Sequence, residues 1–335
     1  MTSEDGWSKL IFLTALWSAI FGALYSTNDN FIMHHIIVCP NDSFTATAFY
    51  LIVGGWIGTL LTLVLNRFLG KSMDKSYTGF NFGSLKMQKF ALLSGIFGAV
   101  STLLYLWGSQ KLDPSLVLGL SSASVIWLCL YDSLTKKIKV RSIIVPLTLV
   151  VVGSLIASTT RLSGGFKITF LGIIILLVGR CGLDAADGIV RKLGGNDTDA
   201  VIFNFWRFFW LSVSATILMI VVAFLRGTSD ELWQMKDIFL PALPWILLTM
   251  FFVFLSNVLC QKAMQKGVVS KVFLVTNSKI AIGVPIALLG DAIYPGVFVG
   301  QLPTEPIVWI VRFAGVVLTA IGVMQLLKER DNIKI

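Results

Sequence analysis

The sequence predicts an all-α integral membrane protein of ten transmembrane helices. Three observations carry that expectation. The chain is 56% hydrophobic and only 13% charged over 335 residues, against roughly 25% charged in soluble domains, so lipid must be the solvent for much of its surface. It divides into ten apolar runs near the roughly 20 residues that a spanning helix needs. Its Lys and Arg residues alternate between rich and poor loops along those runs.

The runs cover residues 9–27, 44–66, 88–109, 114–134, 142–159, 167–190, 200–225, 238–261, 268–290 and 306–327. Few of them alternate with period two, which argues against a β-barrel. Glu4 and Asp5 precede the first run where a signal peptide would be basic, so this run reads as a span. Asp113-Pro114 supplies a cap and a first-turn proline for the fourth helix. Gly164-Gly165, Gly194-Gly195 and Pro303 to Pro306 mark breaks, and the polar stretch 67–87 reads as the longest loop.

With the N-terminus in the cytoplasm, eighteen Lys and Arg fall in inner segments and five in outer ones. That bias sets both termini inside and requires an even number of spans. It also accounts for the net charge of +9 without nucleic acid, for which no motif is present. Cys39, Cys129, Cys181 and Cys260 share no metal-ligand spacing, and His34 and His35 stand together in an expected outer loop. No phosphate-binding loop, HExxH motif or serine triad is found, so no cofactor, metal or catalytic residue is expected.

Residues 103–158 and 255–327 follow one plan: helix, very short loop, helix, acidic residue (Asp132, then Asp291), polar loop, and a final helix ending on Val152-Gly153-Ser154 or Ile321-Gly322-Val323. The plan implies a five-helix unit used twice, over residues 1–160 and 161–335. An odd number of spans per unit turns the second copy upside down. Inverted repeats of this kind place a substrate site near the midplane between the halves.

In length, helix count, duplicated unit and the endings of each half, the chain resembles the EamA-like ten-helix members of the drug/metabolite transporter superfamily. Arg207 in Phe205-Trp206-Arg207-Phe208 is similar to the Arg near the start of the second helix of such a unit, whereas 44–50 carries no equivalent, and the usual Glu of each half is Asp132 and Asp291. The resemblance implies a cavity surrounded by the first, third, fourth, sixth, eighth and ninth helices, with the fifth and tenth peripheral.

Charges inside spans are expensive, which makes them informative. Arg180, Asp184, Asp187 and Arg191 recur at i, i+4, i+7 and i+11, on one face of the sixth helix. They read either as a polar wall of a pathway or as an Arg180–Asp184 pair with Asp187 and Arg191 near the inner surface. Lys279, after Thr276-Asn277-Ser278, lies midway along the ninth run, too central to snorkel. It reads as a cation for an anionic substrate group, or as a partner of Asp184 or Asp187. Arg207 and Arg312 read as interfacial or structural.

The expected binding residues are Arg180, Lys279, Asn277, Asn257, Trp17 and Trp127, with Asp184 or Asp187 for proton coupling or counter-charge. Ser121, Ser122 and Ser124 read as close-packing residues. The activity expected is secondary transport of a small polar metabolite, zwitterionic or anionic, across a plasma (inner) membrane. Its partners are that solute and membrane lipids, and a homodimer is allowed. Two other classes compete: an intramembrane enzyme acting on a lipid head group, and a non-transporting accessory subunit.

Overall fold

The computed structural model describes residues 9–39, 42–111, 123–135, 140–157, 179–196, 198–293 and 305–328. Asp113-Pro114, Ser121, Ser122, Gly164-Gly165, Pro303 and residues 167–178 of the sixth run lie outside them. Eleven helices organise the described residues: α1 Lys9–Phe31, α2 Ser43–Met73, α3 Leu85–Lys111, α4 Ser124–Leu134, α5 Val140–Ala157, α6 Cys181–Gly195, α7 Ala200–Arg226, α8 Phe239–Lys266, α9 Val269–Asn277, α10 Lys279–Ile293 and α11 Pro306–Lys328. A short surface helix, Ser229–Gln234, leads into α8.

Six helical segments among the described residues are long and apolar enough to cross a membrane: Lys9–Ile36, Ser43–Met73, Leu85–Gly108, Ala200–Arg226, Ser229–Lys266 and Pro306–Gln325. The chain is therefore a multi-pass integral membrane protein. Their outward faces carry exposed large apolar side chains such as Leu60, Phe68, Phe224, Leu240 and Ile310, which suits contact with lipid rather than water.

Three elements depart from the sequence expectation. The first helix does not stop at 27 but continues through a π-helical turn, Ile32–Ile36, which takes up His34 and His35. It can do so because its polar residues find partners on α8: the Asn28 amide donates to the Trp245 carbonyl at 2.9 Å and to the Thr249 hydroxyl at 2.6 Å. Helix α2 runs to Met73, into the expected loop, and at 31 residues it is about 46 Å long, more than the hydrocarbon core requires. The ninth run is not continuous. It breaks at Ser278, where the hydroxyls of Thr276 and Ser278 bond back to the carbonyls of Phe273 and Val275 at 3.1 and 2.6 Å, competing with the helix ladder.

Small residues let the helices approach. A Cβ on Gly95 of α3 would stand 2.7 Å from the Leu211 nitrogen of α7, and one on Gly315 of α11 would stand 2.3 Å from the Ala157 nitrogen of α5. Such close backbone approach gives membrane helices the dispersion contact that replaces the hydrophobic effect.

Helix ends at the Lys-rich side are tied by side chains. The Asp74 carboxylate accepts from the Ala200 N–H at 2.9 Å, the Lys262 ammonium donates to the Met73 carbonyl at 2.6 Å, and Asp132 accepts from the Ser270 N–H at 2.8 Å. Lys192 reaches the carbonyls of Met264, Gln265 and Gly267 at 2.6–3.2 Å. Anions thus sit at helix N-termini and cations at C-termini, as orphan backbone groups and the helix dipole favour. At the other side Arg226 pairs with the α2 cap, Asp42, at 3.2 Å.

Candidate functional site

A cavity of about 230 Å³ lies within the bundle. Helices α1, α2, α3, α4, α6, α7, α8, α9 and α10 contribute to its wall, while α5 and α11 contribute no lining residue. The second and seventh helices therefore line it in addition to those the resemblance implies. Among the described residues the wall holds four cationic side chains, Arg180, Arg191, Arg207 and Lys279, and three carboxylates, Asp29, Asp184 and Asp187.

The charged stripe on α6 and its N-terminal turn faces this cavity, and it is cross-braced. Arg180, at the start of α6, has its Nε 3.8 Å from Asp184 and lies over the Tyr105 ring, 4.7 Å from its centre. Asp184 also accepts from the Ser101 hydroxyl of α3. One turn on, Asp187 accepts from the Ser94 hydroxyl and pairs with Arg207 of α7 at 2.8 Å. Arg207 closes the triangle by donating to the Ser94 hydroxyl at 2.9 Å. Arg191 stands 4.0 Å from the same carboxylate and is held from α8, donating to Gln261 at 3.1 Å and to the Asn257 carbonyl at 3.1 Å.

Asp187 and Arg191 are thus buried members of the cavity wall, and the Arg180–Asp184 pair stands beside them. Arg207, expected at the interface, is buried and is the nearest cationic partner of Asp187. It packs against α3, where Gly98 leaves its guanidinium room: a Cβ there would stand 3.2 Å from Nη2.

Lys279, the first residue of α10, follows the helix break. Its ammonium meets the Tyr25 hydroxyl at 3.3 Å and stands over that ring, 5.5 Å from its centre. No carboxylate of the described residues lies within 4 Å of it, so the expected pair with Asp184 or Asp187 is not made. Its stem packs on α1, where a Cβ at Gly22 would stand 3.2 Å from Lys279 Cδ. Asn277, the last residue of α9, is buried in the wall with its amide nitrogen lacking a hydrogen-bond partner.

Six of the eight expected residues, Arg180, Lys279, Asn277, Asn257, Asp184 and Asp187, come together here. Trp17 and Trp127 do not. They are 53% and 45% exposed, outside the lining set, and Trp17 stacks along α1 on Phe21. The helix faces that carry them turn outward.

Sequence reasoning missed Asp29, Tyr50 and Tyr105. Asp29 is buried and accepts from the Tyr50 hydroxyl of α2. It falls just past the end of the first apolar run. The signal available was a polar stripe at helical spacing, Ser18, Gly22, Tyr25 or Ser26, and Asp29, which continues without a break.

No family model and no curated protein matches the chain. Solved structures do match. One of them, described only as the crystal structure of a protein, is 12% identical over 97% of each chain, with a TM-score of 0.60. At that identity the likeness shows the fold alone, and it extends over nearly the whole chain.

Proposed function

We propose that this protein is a secondary transporter of a small polar metabolite, zwitterionic or anionic, and an EamA-like member of the drug/metabolite transporter superfamily. It would work by alternating access between two inverted five-helix halves, 1–160 and 161–335, with ten spans and both termini in the cytoplasm of a cell bounded by this plasma membrane.

The observation that carries the reading is Lys279. It is a cation at the break of a membrane helix, in the wall of an internal cavity, with a hydroxyl as its partner and no carboxylate of the described residues within 4 Å. Discontinuous helices supply substrate sites in transporters, and a charge retained inside a bundle without an ionic partner needs a ligand to justify its desolvation. The cavity, at about 230 Å³, is below the roughly 300–1,000 Å³ of drug-sized pockets and suits a small solute.

The inverted repeat is supported by the pattern of helix packing. Helix α1 packs on α8, and α6, five spans later, packs on α3; α2 packs on α7 and α5 on α11. Exchanging each span for the one five places away leaves this set of neighbours unchanged. The ten-span alternation is supported by the tied helix ends, since Asp74, Asp132, Lys192 and Lys262 all join ends that the sequence assigns to the inner side. Asp184 and Asp187, each beside an arginine, act in this reading as counter-charges.

The test is a thermal-shift screen of the purified protein against amino acids, sugar phosphates, nucleotides and polyamines, followed by uptake of any hit into proteoliposomes. Ligand binding to the folded state raises Tm by mass action. Lys279→Ala is expected to insert normally and to lose both the shift and the uptake. Uptake at the wild-type rate in that variant would remove Lys279 from the site.

A further inference from the structure

We propose that the cavity contains a second, oppositely charged subsite, built from Asp29, Tyr50, Tyr105 and Ser26, and that it binds the ammonium group of a zwitterionic substrate. This rests on the transporter reading and narrows its substrate class to small molecules carrying both a primary amine and an acid.

Asp29 is the one carboxylate of the cavity wall with no cation within 4 Å among the described residues. Asp184 and Asp187 stand beside arginines, whereas Asp29, only 8% exposed, accepts a hydrogen bond from Tyr50 through Oδ1. Around it stand further oxygens. The Tyr105 hydroxyl and the Ser26 hydroxyl are buried (7% and 4% exposed), line the same cavity, stand beside each other, and make no well-formed hydrogen bond to a third group of the described residues. Tyr105 lies close enough to interact electrostatically with Asp29. The amide of Asn28, which could have donated to this group, is turned away to α8.

A primary ammonium has three N–H donors and no acceptor, and burial requires that each be satisfied. A carboxylate flanked by buried hydroxyls offers that set, with no cation of the described residues within 4 Å; Lys279 attracts Asp29 only at longer range. Lys279 lies at the other pole. It reaches Tyr25, and Asp29 follows Tyr25 by four residues on the same face of α1, about 6 Å along the axis. Lys279 and Asp29 are near enough to attract one another through the cavity yet form no ion pair within 4 Å, an arrangement that a small amino acid could bridge. Each half of such a ligand replaces a contact between a charge and a neutral hydroxyl by one between opposite charges.

The experiment is thermal shift and isothermal titration on the full-length protein with α- and ω-amino acids of two to six carbons. Each is run beside the matching amine and the matching carboxylic acid. At least one amino acid is expected to bind more tightly than either fragment. Asp29→Asn should weaken amino acids and amines by about tenfold or more while leaving carboxylic acids unchanged, and Lys279→Ala should do the reverse. Tyr105→Phe, which keeps the ring under Arg180, should weaken amine-bearing probes alone and serves where Asp29→Asn does not fold. Binding of carboxylic acids with no gain from an amine overturns the ammonium subsite and leaves the anion carrier standing. Stabilisation by sodium chloride but not choline chloride, with no amine effect, also overturns it, in favour of a metal cation. No binding by any probe overturns this proposal together with the transporter reading.

Discussion

Two carboxylates one turn apart on α6 should respond very differently to the same substitution. Asp187→Asn removes the only carboxylate among the described residues within 4 Å of Arg207 and Arg191, whose side chains are 9% and 5% exposed. Breaking a buried pair from one side strands the other charge, at about 3–5 kcal/mol. Here two guanidiniums lose their counter-charge, and asparagine leaves one acceptor oxygen where Ser94 and Arg207 now share two. Asp184→Asn removes a carboxylate that is 27% exposed to the cavity and 3.8 Å from its arginine, and after screening it should cost about 1 kcal/mol. An unfolding entropy of about 2.1 cal/mol/K per residue gives this chain of 335 residues about 0.7 kcal/mol/K. Tm should then fall by roughly 6 °C for Asp187→Asn and by roughly 1.5 °C for Asp184→Asn, measured in one detergent at one protein concentration. Adding Arg207→Gln to Asp187→Asn should recover part of the loss, because one stranded cation is removed with it. Equal shifts for the two single variants, or a double variant whose loss is the sum of its parts, would refute the reasoning.

Two further outcomes follow from the helix ends and the close contacts. Asp74 and Asp199 meet at the N-terminus of α7 with opposite signs. For Asp74, burial is outweighed by bonds from the Ala200 N–H and from Ser76, and its carboxyl is held below 3.8. Its stabilisation is present above that value and lost as pH falls through the folded pKa. Asp74→Asn should therefore lower Tm at pH 7, with the gap to wild type closing below about pH 4. For Asp199, burial and the repulsion of Asp74 push the carboxyl up, so its charge opposes folding above that raised pKa and Asp199→Asn, still a competent cap, should match or exceed wild type at pH 7. Gly315→Ala drives a Cβ into the backbone of α5 and should cost about 1–3 kcal/mol. Gly182→Ala on α6 meets nothing within 4 Å and should gain about 0.5–1 kcal/mol; thermal melts of the pair check both.

The membrane class was legible because it rests on composition and run length, which no tertiary contact can reverse. The α6 stripe was legible for a similar reason. Four charges at helical spacing cannot all face lipid, and their common face is fixed by geometry before any partner is known. What failed was everything that depends on a partner. Hydropathy ended the first helix at 27 because Asn28 and Asp29 look like loop residues, yet α8 and Tyr50 satisfy them inside the bundle. Arg207 read as interfacial because the carboxylate that buries it lies 20 residues away on another helix. Trp17 and Trp127 were chosen by their depth along the runs, but depth does not give azimuth, and both lie on exposed faces.

The partners of the wall charges divide them into two kinds. Guanidinium is always charged, and its several donors let Arg207 hold a carboxylate and a serine at once. Such a group is hard to release, so Arg207 with Asp187, braced by Arg191 and Gln261, joins α3, α6, α7 and α8 into a fixed wall. Lys279 and Asp29 hold only tyrosine hydroxyls. A hydroxyl screens a buried charge well enough to keep it folded in the absence of ligand, but it is a weak competitor for a ligand carrying the opposite charge. Had Lys279 been paired with Asp184, a substrate would first have to break a low-dielectric ion pair, and binding would lose most of what it gained. If the proposed transport holds, the site must also let go. A site whose resting partners are neutral can take up and release a charged group over a modest free-energy range, and Lys279 and Asp29 have such partners in Tyr25 and Tyr50.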